Sequence, residues 1–343
     1  MSSMTSTQRV LGFPLLFLVL INFIGDAISP VSSQNSTAIQ HVFQYDSYRE
    51  TCRDAEKIVW NGMKNITLKH QNAQAQLLRL LFHDCFIQFL LSNLSFDYAG
   101  GCDASVLLLD DTNSTERHAG PNTSLKGFDY IDEIKELLES ECPGVVSCAD
   151  ILVLATRDAI VLSGGPYYPV LTGRKDSTRS YSDEAVAEIP KPESNISEIL
   201  QLFARRGFNE RETATLLGAH NIGRISCVFI QPRLNKSDDG AIPEDFLSEM
   251  KTNCLKPNGS VTNTRGGEFG SHYYEAVIRG KGLLTSDQEL LAHEKTAEAV
   301  FEYAEDGDKF RSDFASAMVK LSNLNVAGSQ GEVRRNCSSA NSS

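Results

Sequence analysis

Apolar side chains recur every three to four residues along most of this chain, which is the pattern of amphipathic helices. Leu77, Leu78 and Leu81, for example, share one helical face. The pattern predicts helices at 55–69, 73–86, 128–139, 147–162, 194–206, 210–217, 295–303 and 308–321. Strand patterns are few, and the stretches 166–192 and 227–274 have the character of long loops. The sequence therefore predicts a mainly α fold with long loops and one small hairpin.

The N-terminal segment carries a different pattern. Arg9 is followed by an apolar run at 10–24 and then by small residues up to Ser33. A positive start, a short apolar centre and a small-residue exit are typical of a secretory signal peptide. A membrane anchor is the weaker alternative, because Pro14 and Asn22 interrupt a run that is already short for a bilayer. We therefore predict a signal peptide at 1–33, cleaved between residues 29 and 34, and a single domain at 34–343.

The composition fits a secreted globular protein. The chain has 343 residues, of which 41% are hydrophobic, and a formal net charge of −12. This excess of acidic residues argues against nucleic-acid binding, which normally uses a basic face. We expect a monomer that is not inserted in a membrane. Motifs of the form N-x-S/T predict a glycoprotein; they begin at Asn35, Asn65, Asn93, Asn113, Asn122, Asn195, Asn235, Asn258, Asn336 and Asn341.

The cysteines support the same compartment. All eight follow the signal segment, at Cys52, Cys85, Cys102, Cys142, Cys148, Cys227, Cys254 and Cys337. An even count in an oxidising compartment predicts four disulfides, and spacing alone leaves about 105 pairings open. Metal-binding cysteine pairs are the weaker alternative, because the chain contains no C-x-x-C motif.

Arg79 and His83 lie four residues apart in an apolar segment, so they share one face of the predicted helix. A lone histidine in such surroundings is more often an ordinary core residue. An arginine beside it is costly to bury without a partner, so the pair predicts a cavity for a group that is, or becomes, anionic. A second histidine, His220, follows the predicted helix 210–217. A zinc hydrolase is disfavoured, because no HExxH motif is present.

Six segments, taken in order, resemble the secretory plant peroxidases, which are the class III haem peroxidases. They are RLLFHDCF at 79–86, GCDASVLL at 101–108, ECPGVVSCAD at 141–150, GRKDS at 173–177, GAH at 218–220 and GLLTSDQ at 282–288. The resemblance extends from about Cys52 to Cys337. It implies a two-lobed helical fold with haem b between the lobes and long loops pinned by disulfides. The implied activity is reduction of hydrogen peroxide with one-electron oxidation of small phenolic donors.

The same resemblance assigns the residues of the reaction centre. His220 is implied as the axial ligand of the haem iron, with Asp287 accepting a hydrogen bond from the other ring nitrogen. His83 is implied as the acid and base that moves the peroxide proton, and Arg79 as the cation that stabilises the separating charge. Asn122 is implied as the buried residue that keeps His83 basic, and therefore as a sequon without a glycan.

Further assignments follow from the resemblance around this centre. Pro190 is implied as the residue that contacts the electron donor. Glu116 is implied as a residue that contacts the direct ligands of the site without being a ligand itself, and Asp150 with Arg174 as a buried ion pair. The implied disulfides are Cys52–Cys142, Cys85–Cys102, Cys148–Cys337 and Cys227–Cys254. The implied distal calcium ligands are Asp84, the carbonyls of Ile87 and Gly101, and the side chains of Asp103 and Ser105.

The chain departs from the family pattern at both implied calcium sites. Twelve additional residues at 89–100 interrupt the distal loop, and their removal restores the family spacing, so we interpret them as translated intron. At the proximal site, Asn221 stands in place of a hydroxyl residue. Alignment on Tyr273 and Tyr274 leaves both expected carboxylates missing and introduces Arg265. The sequence therefore predicts calcium at the distal site and disfavours it at Asn221.

Two functions from different classes remain after this comparison. The leading hypothesis is an active secreted haem peroxidase of the cell wall, apoplast or vacuole, because the four catalytic residue types are intact. The alternative is an extracellular glycoprotein of the same fold, with little or no haem, that acts by binding. The additional segment and the altered proximal site favour that alternative.

We predict that the mature protein lacks residues 89–100. Trypsin cuts after Arg79 and Arg117, and the sequence between them contains no other lysine or arginine. Mass spectrometry of the reduced, deglycosylated peptide 80–117 should therefore give the mass without the twelve residues. A peptide that reads continuously from Phe89 to Gly100 would contradict the interpretation.

Overall fold

Helices dominate the computed structural model of the protein, which describes residues 43–87, 101–110, 114–235, 242–255, 259–262, 269–324 and 331–341. The predicted signal peptide, the segment 89–100 and Arg265 lie outside these residues. The α-helices in the described ranges are α1 (Ala55–Lys69), α2 (Ala73–Cys85), α3 (Phe128–Glu141), α4 (Cys148–Leu162), α5 (Ser182–Glu188), α6 (Ile196–Ala204), α7 (Glu210–Leu217), α8 (Cys227–Leu234), α9 (Glu244–Asn253), α10 (His272–Ile278), α11 (Thr285–Gln288), α12 (Glu294–Glu305) and α13 (Gly307–Ser322). The mainly α prediction is confirmed.

The eight predicted helices are all present, and their ends differ from the predicted ones by at most two residues. Local capping explains several of these ends. Asn209 and Glu212 form a reciprocal capping box at the start of α7, and the Ser147 side chain accepts a hydrogen bond from Asp150 N at the start of α4. Asp54 stands at the N-terminal end of α1 but makes no capping hydrogen bond through its side chain.

The long-loop prediction is wrong in part. Helices α5, α8 and α9 lie within the two stretches that the sequence pattern gave as loops. The hydrophobic pattern did not predict these helices because they are short. In addition, α8 contains Pro232, a residue that normally disfavours a helix interior. The part of the chain that the structure describes also holds two antiparallel strand pairs where one hairpin was predicted: Gln44–Tyr45 (β1) with Leu171–Thr172 (β2), and Arg224–Ser226 (β3) with Ser260–Thr262 (β4).

The core is organised around α4. Every residue from Cys148 to Ile160 in this helix is buried, so α4 has no solvent face over this stretch, and it packs against α1, α2 and α3. A second group of helices contains α7, α10, α12 and α13, and α13 also contacts α2 of the first group. These two groups form the two lobes. None of the helices in the described ranges is both long and apolar enough to span a bilayer.

Four disulfides fasten the loops to this helical frame. The pairs are Cys52–Cys142, Cys85–Cys102, Cys148–Cys337 and Cys227–Cys254. They are the same four pairs that the resemblance implies. The Cys85–Cys102 bridge joins the end of α2 to the chain that follows the additional segment, so both flanks of that segment are tied to one point.

A buried ion pair joins α4 to the loop after β2. Arg174 Nη1 donates to Asp150 Oδ1 over 2.8 Å, and both side chains are almost fully buried. Asp150 Oδ2 also accepts from the Tyr48 hydroxyl over 2.6 Å. Arg174 Nη2 donates to the carbonyl of Ser322 at the end of α13. Because every charge here has partners, removal of one member would leave an uncompensated buried charge.

Candidate functional site

Helix α2 presents Arg79 and His83 one turn apart, as the sequence spacing predicts. Arg79 Nε donates to His83 Nε2 over 3.3 Å. Its two remaining nitrogens donate to Ser124 Oγ and to the Pro121 carbonyl, each over 3.0 Å. Burial lowers the pKa of Arg79 to about 10, so the guanidinium is still a cation at neutral pH. Sequence reasoning missed Ser124 and Pro121, because neither residue type signals an arginine partner by itself.

Asn122 determines which nitrogen of His83 carries the proton. Asn122 Nδ2 donates to the Glu116 carbonyl over 2.9 Å, which turns its Oδ1 toward His83. That oxygen lies 2.6 Å from His83 Nδ1 and can only accept, so Nδ1 carries the proton. His83 Nε2 therefore keeps its lone pair and faces Arg79.

His83 is held as a neutral base. Burial and the positive charge of Arg79 lower the pKa of His83 to about 3, while the hydrogen bond to Asn122 opposes this shift. At neutral pH the ring is therefore uncharged and ready to accept a proton at Nε2. The arginine that lowers the basicity of the ring also places a positive charge where an anion would form.

A cluster of buried carboxylates lies at the end of α2, around Asp84, Asp103 and Glu116. Burial and the charge of Glu116 raise the pKa of Asp84 to about 8, and burial and the charge of Asp103 raise the pKa of Glu116 to about 8. Arg334 is a nearby cation that lowers the pKa of Asp84 and Asp103. Ionising these buried carboxyl groups together is therefore unfavourable, and a divalent cation bound among them would favour their charged forms.

Some polar atoms in this carboxylate cluster have hydrogen-bond partners among the described residues and others do not. Asp84 accepts from the backbone N–H groups of Ala104 and Val106 over 3.0 and 3.3 Å. Ser105 Oγ and Glu116 Oε2 are buried and meet no described partner in hydrogen-bond geometry. In the described ranges, no three His, Cys, Asp or Glu side chains converge closely enough to hold a metal ion by themselves. An ion here would need hydroxyl and carbonyl oxygens as well, and buried Ile87 and Gly101 are available for that.

The second histidine, His220, lies in the 3₁₀ turn Gly218–Asn221 directly after α7. Its Nδ1 is 2.7 Å from Oδ1 of Asp287, a buried residue of α11. Leu284 N donates to the other carboxylate oxygen over 2.8 Å. Although burial alone would raise the pKa of Asp287, His220 and these hydrogen bonds hold it below its usual value. The carboxylate is thus ionised and fixes the Nδ1–H tautomer, which leaves Nε2 as the metal-binding nitrogen.

His220 borders a cavity on the side of its ring, and its side chain is 38% exposed. The cavity is lined by His220, His272, Tyr273, Ala276, Lys281, Gly282 and Leu283. An imidazole with one nitrogen tied to a carboxylate and its ring beside a cavity fits the axial ligand of a metal-bearing cofactor. The donor chemistry therefore suits haem at this position.

Asn221, the residue after this histidine, has its side chain fully engaged with the backbone of Gly270. Its Oδ1 accepts from Gly270 N over 3.1 Å, and its Nδ2 donates to the Gly270 carbonyl. His272 Nε2 lies 2.9 Å from the Asn221 carbonyl. We call this set of contacts the Asn221–Gly270 clamp. It ties the turn that holds His220 to the start of α10.

A close contact joins the His220 segment to the helix that carries His83. Gly223 has a positive φ of 93°, and a Cβ there would lie 2.5 Å from Ala75 Cβ on α2. The strand after His220 therefore lies against the helix that carries His83, and only glycine permits this approach. The Pro190 segment is close to both sides, because α5 contacts the turn Gly120–Asn122 and Ser286 N donates to the Pro192 carbonyl over 3.0 Å.

Comparison with known proteins gives this arrangement a family. The sequence profile of the family described as Peroxidase matches residues 57–306. Three relatives from Arabidopsis thaliana match along most of their length. Putative Peroxidase 48 is 43% identical over 86% of this chain and 82% of its own. Peroxidase 3 is 38% identical over 89% of this chain and 94% of its own. Probable peroxidase 61 is 35% identical over 96% of this chain and 97% of its own.

We predict that His83 stays neutral until the pH approaches 3. The replacement Arg79→Leu removes a positive charge, so the pKa of His83 should rise toward its ordinary value near 6.5, although burial will still hold it lower. Two-dimensional ¹H–¹⁵N NMR of the histidine rings measures both titrations. Arg335→Leu, at an exposed arginine, is the control and should change nothing. The same titration of His83 in Arg79→Leu and wild type would contradict the assigned coupling.

Proposed function

Since this chain belongs to the class III haem peroxidases of plants, we propose that His83 and Arg79 act on the peroxide and that His220 holds the haem iron. The observation that carries this assignment is the chain of hydrogen bonds from the Glu116 carbonyl through Asn122 to His83. It fixes a neutral imidazole whose Nε2 carries no proton and lies beside a cation. An ordinary core histidine needs no arginine at its second nitrogen.

His220 would hold the haem, and a haem bound there would supply the two electrons needed to cleave the O–O bond of the peroxide. His83 Nε2 accepts the proton from one peroxide oxygen and then donates it to the other, so that the departing oxygen leaves as water. Arg79 stabilises the negative charge on that oxygen while the bond breaks. In the overall reaction, hydrogen peroxide and two donor molecules that each lose one electron and one proton give two molecules of water and two donor radicals.

The electron donors that we propose are small phenolic compounds. They would approach beside Pro190, which is half-buried and lies in the segment that touches both the Asn122 turn and α11. The Pro190 segment thus lies near Asn122, the partner of His83, and near α11, which carries Asp287, the partner of His220. The position is therefore suited to donors that would transfer an electron near a haem bound at His220 without displacing the contact between Arg79 Nε and His83 Nε2.

We further propose one calcium ion, held by Asp84, Asp103 and Ser105 with the carbonyls of Ile87 and Gly101. The raised pKa values of Asp84 and Asp103 support it, because buried carboxyl groups of this kind ionise readily only with a cation among them. No ion is proposed beside His220, because both polar atoms of the Asn221 side chain are bonded to Gly270.

The protein would act as a monomer outside the cytosol. The N-terminal segment 1–33 would direct secretion to the cell wall, apoplast or vacuole, and four disulfides suit an oxidising compartment. Exposed sequons would carry glycans. Asn122 would not, because it is buried and its amide is bonded to Glu116.

The decisive test of the function compares His83→Ala with His70→Ala in protein loaded with haem. His83→Ala should keep the Soret absorbance but lose about 10²- to 10⁴-fold in the rate of reaction with peroxide, because the proton acceptor is gone. His70 is exposed at the end of α1, so His70→Ala should retain wild-type guaiacol turnover.

Two results would count against the proposal in different ways. Normal peroxide turnover by His83→Ala would refute the role of this residue. A wild-type protein without Soret absorbance after expression with haem and calcium would instead support the binding glycoprotein of the same fold.

The calcium assignment predicts one ion per molecule by metal analysis. Chelation should lower the melting temperature of the wild type, because a ligand that binds only the folded state stabilises it. Asp103→Asn should bind no calcium and should not respond to the chelator, whereas Asp308→Asn, at an exposed site on α13, should behave as wild type. Two ions in the wild type, or one retained in Asp103→Asn, would contradict the assignment.

A further inference from the structure

The carboxylate of Asp287 has a third hydrogen-bond donor besides His220 and Leu284. The Tyr273 hydroxyl donates to Asp287 Oδ1 over 3.0 Å, and this is the oxygen that also lies 2.7 Å from His220 Nδ1. Tyr273 is buried, and its ring stands edge-on to the imidazole with centroids 6.3 Å apart. Burial and the charge of Asp287 raise the pKa of Tyr273 well above its usual value, so the phenol keeps its proton and can only act as a donor toward the carboxylate.

Two donors on one carboxylate oxygen compete for its electron density. A hydrogen bond to a charged carboxylate stabilises the charge and makes the group a weaker base. A weaker base draws less on the Nδ1 proton of His220, so the imidazole has less anionic character. The basicity of a ligating histidine is known to follow the partner of its second nitrogen, and hydrogen bonding around the axial ligand is one of the levers that set a haem potential.

We propose that Tyr273 is a positioning residue that sets the donor strength of His220 toward the haem iron through the hydrogen bond from its hydroxyl to Asp287 Oδ1. This role rests on the function proposed above for His220. It adds Tyr273 as a third residue to the hydrogen-bonded series His220–Asp287 and makes the reduction potential sensitive to the phenol proton of Tyr273.

The position of Tyr273 is set by the Asn221–Gly270 clamp. Gly270 and His272 are both bonded to Asn221, so the first turn of α10 is tied to the turn that carries His220. Tyr273 follows His272 directly and reaches the carboxylate from this anchored start. The departure from the family pattern at Asn221 and the contact of Tyr273 therefore belong to one local arrangement.

Tyr274 provides a matched control on the same helix. It is as deeply buried as its neighbour, but its hydroxyl donates to the Ala214 carbonyl over 3.0 Å and its ring packs against Tyr303 and Phe310. Tyr274→Phe removes a buried hydroxyl of the same kind without touching Asp287. Any effect common to both variants would be structural.

The experiment measures the Fe(III)/Fe(II) midpoint potential and the iron–histidine stretching frequency in haem-loaded Tyr273→Phe, Tyr274→Phe and wild type. Without the phenol, Asp287 becomes a stronger acceptor and His220 a stronger ligand. Tyr273→Phe should therefore show a more negative potential and a higher stretching frequency, while Tyr274→Phe should match the wild type. Equal values in Tyr273→Phe and Tyr274→Phe would overturn the proposal.

A second substitution keeps the test decisive if Tyr273→Phe does not retain haem. Replacing Tyr273 by 3-fluorotyrosine keeps the hydroxyl and makes it a stronger donor, so the potential should move in the positive direction. No shift, or a negative one, would overturn the proposal. A wild-type protein that binds no haem would refute the proposed function together with this role, whereas haem bound with unchanged potentials would refute the role alone.

Discussion

Each of the two functional histidines has its Nδ1 proton fixed by a buried oxygen, and the chemistry of the site depends on this constraint. A free imidazole exchanges its proton between two nitrogens, so neither can be reserved for one task. At His83 the oxygen belongs to the neutral amide of Asn122, and the ring remains a weak base of defined tautomer. At His220 the oxygen belongs to the ionised carboxylate of Asp287, which would make the ring a strong electron donor in the role proposed for it. The two imidazole rings thus differ in their proposed roles because His83 is paired with a neutral amide and His220 with a charged carboxylate.

Several charged side chains are buried in the helices and loops around these two histidines, and most of them lie beside a group of opposite charge. Asp150 and Arg174 neutralise one another between α4 and the end of α13. Arg334 lowers the pKa values of Asp84 and Asp103, yet both pKa values are still raised, which shows how unfavourable their ionisation is without a further cation. This cluster follows His83 directly along the chain. The stability of the cluster and the position of the base are therefore linked through the last turn of α2.

The long helices and the pairing of Arg79 with His83 on one helical face were predictable from the sequence, whereas short elements and backbone partners were not. Helical periodicity located α1 to α4 because their apolar stripes are long. It missed α8 and α9, which pack in a separate small apolar cluster and are joined by the Cys227–Cys254 bridge. Arg79 and His83 were recognisable from their spacing, but Tyr273 was not. A tyrosine in an apolar pair reads as core, and only the fold shows that its hydroxyl meets Asp287.

The clamp at Asn221 explains how the turn after α7 can be held without a metal ion. A cation without carboxylate ligands would lose its hydration without adequate replacement, and this is a large cost in a buried site. Two hydrogen bonds between a neutral amide and the backbone N–H and C=O of one residue, Gly270, bury no charge, and they satisfy both partners. They also hold the start of α10 in one register relative to His220. A neutral link of this kind leaves Asp287 as the ionised group nearest the ring, so the electronic state of His220 depends on how that one carboxylate is hydrogen-bonded.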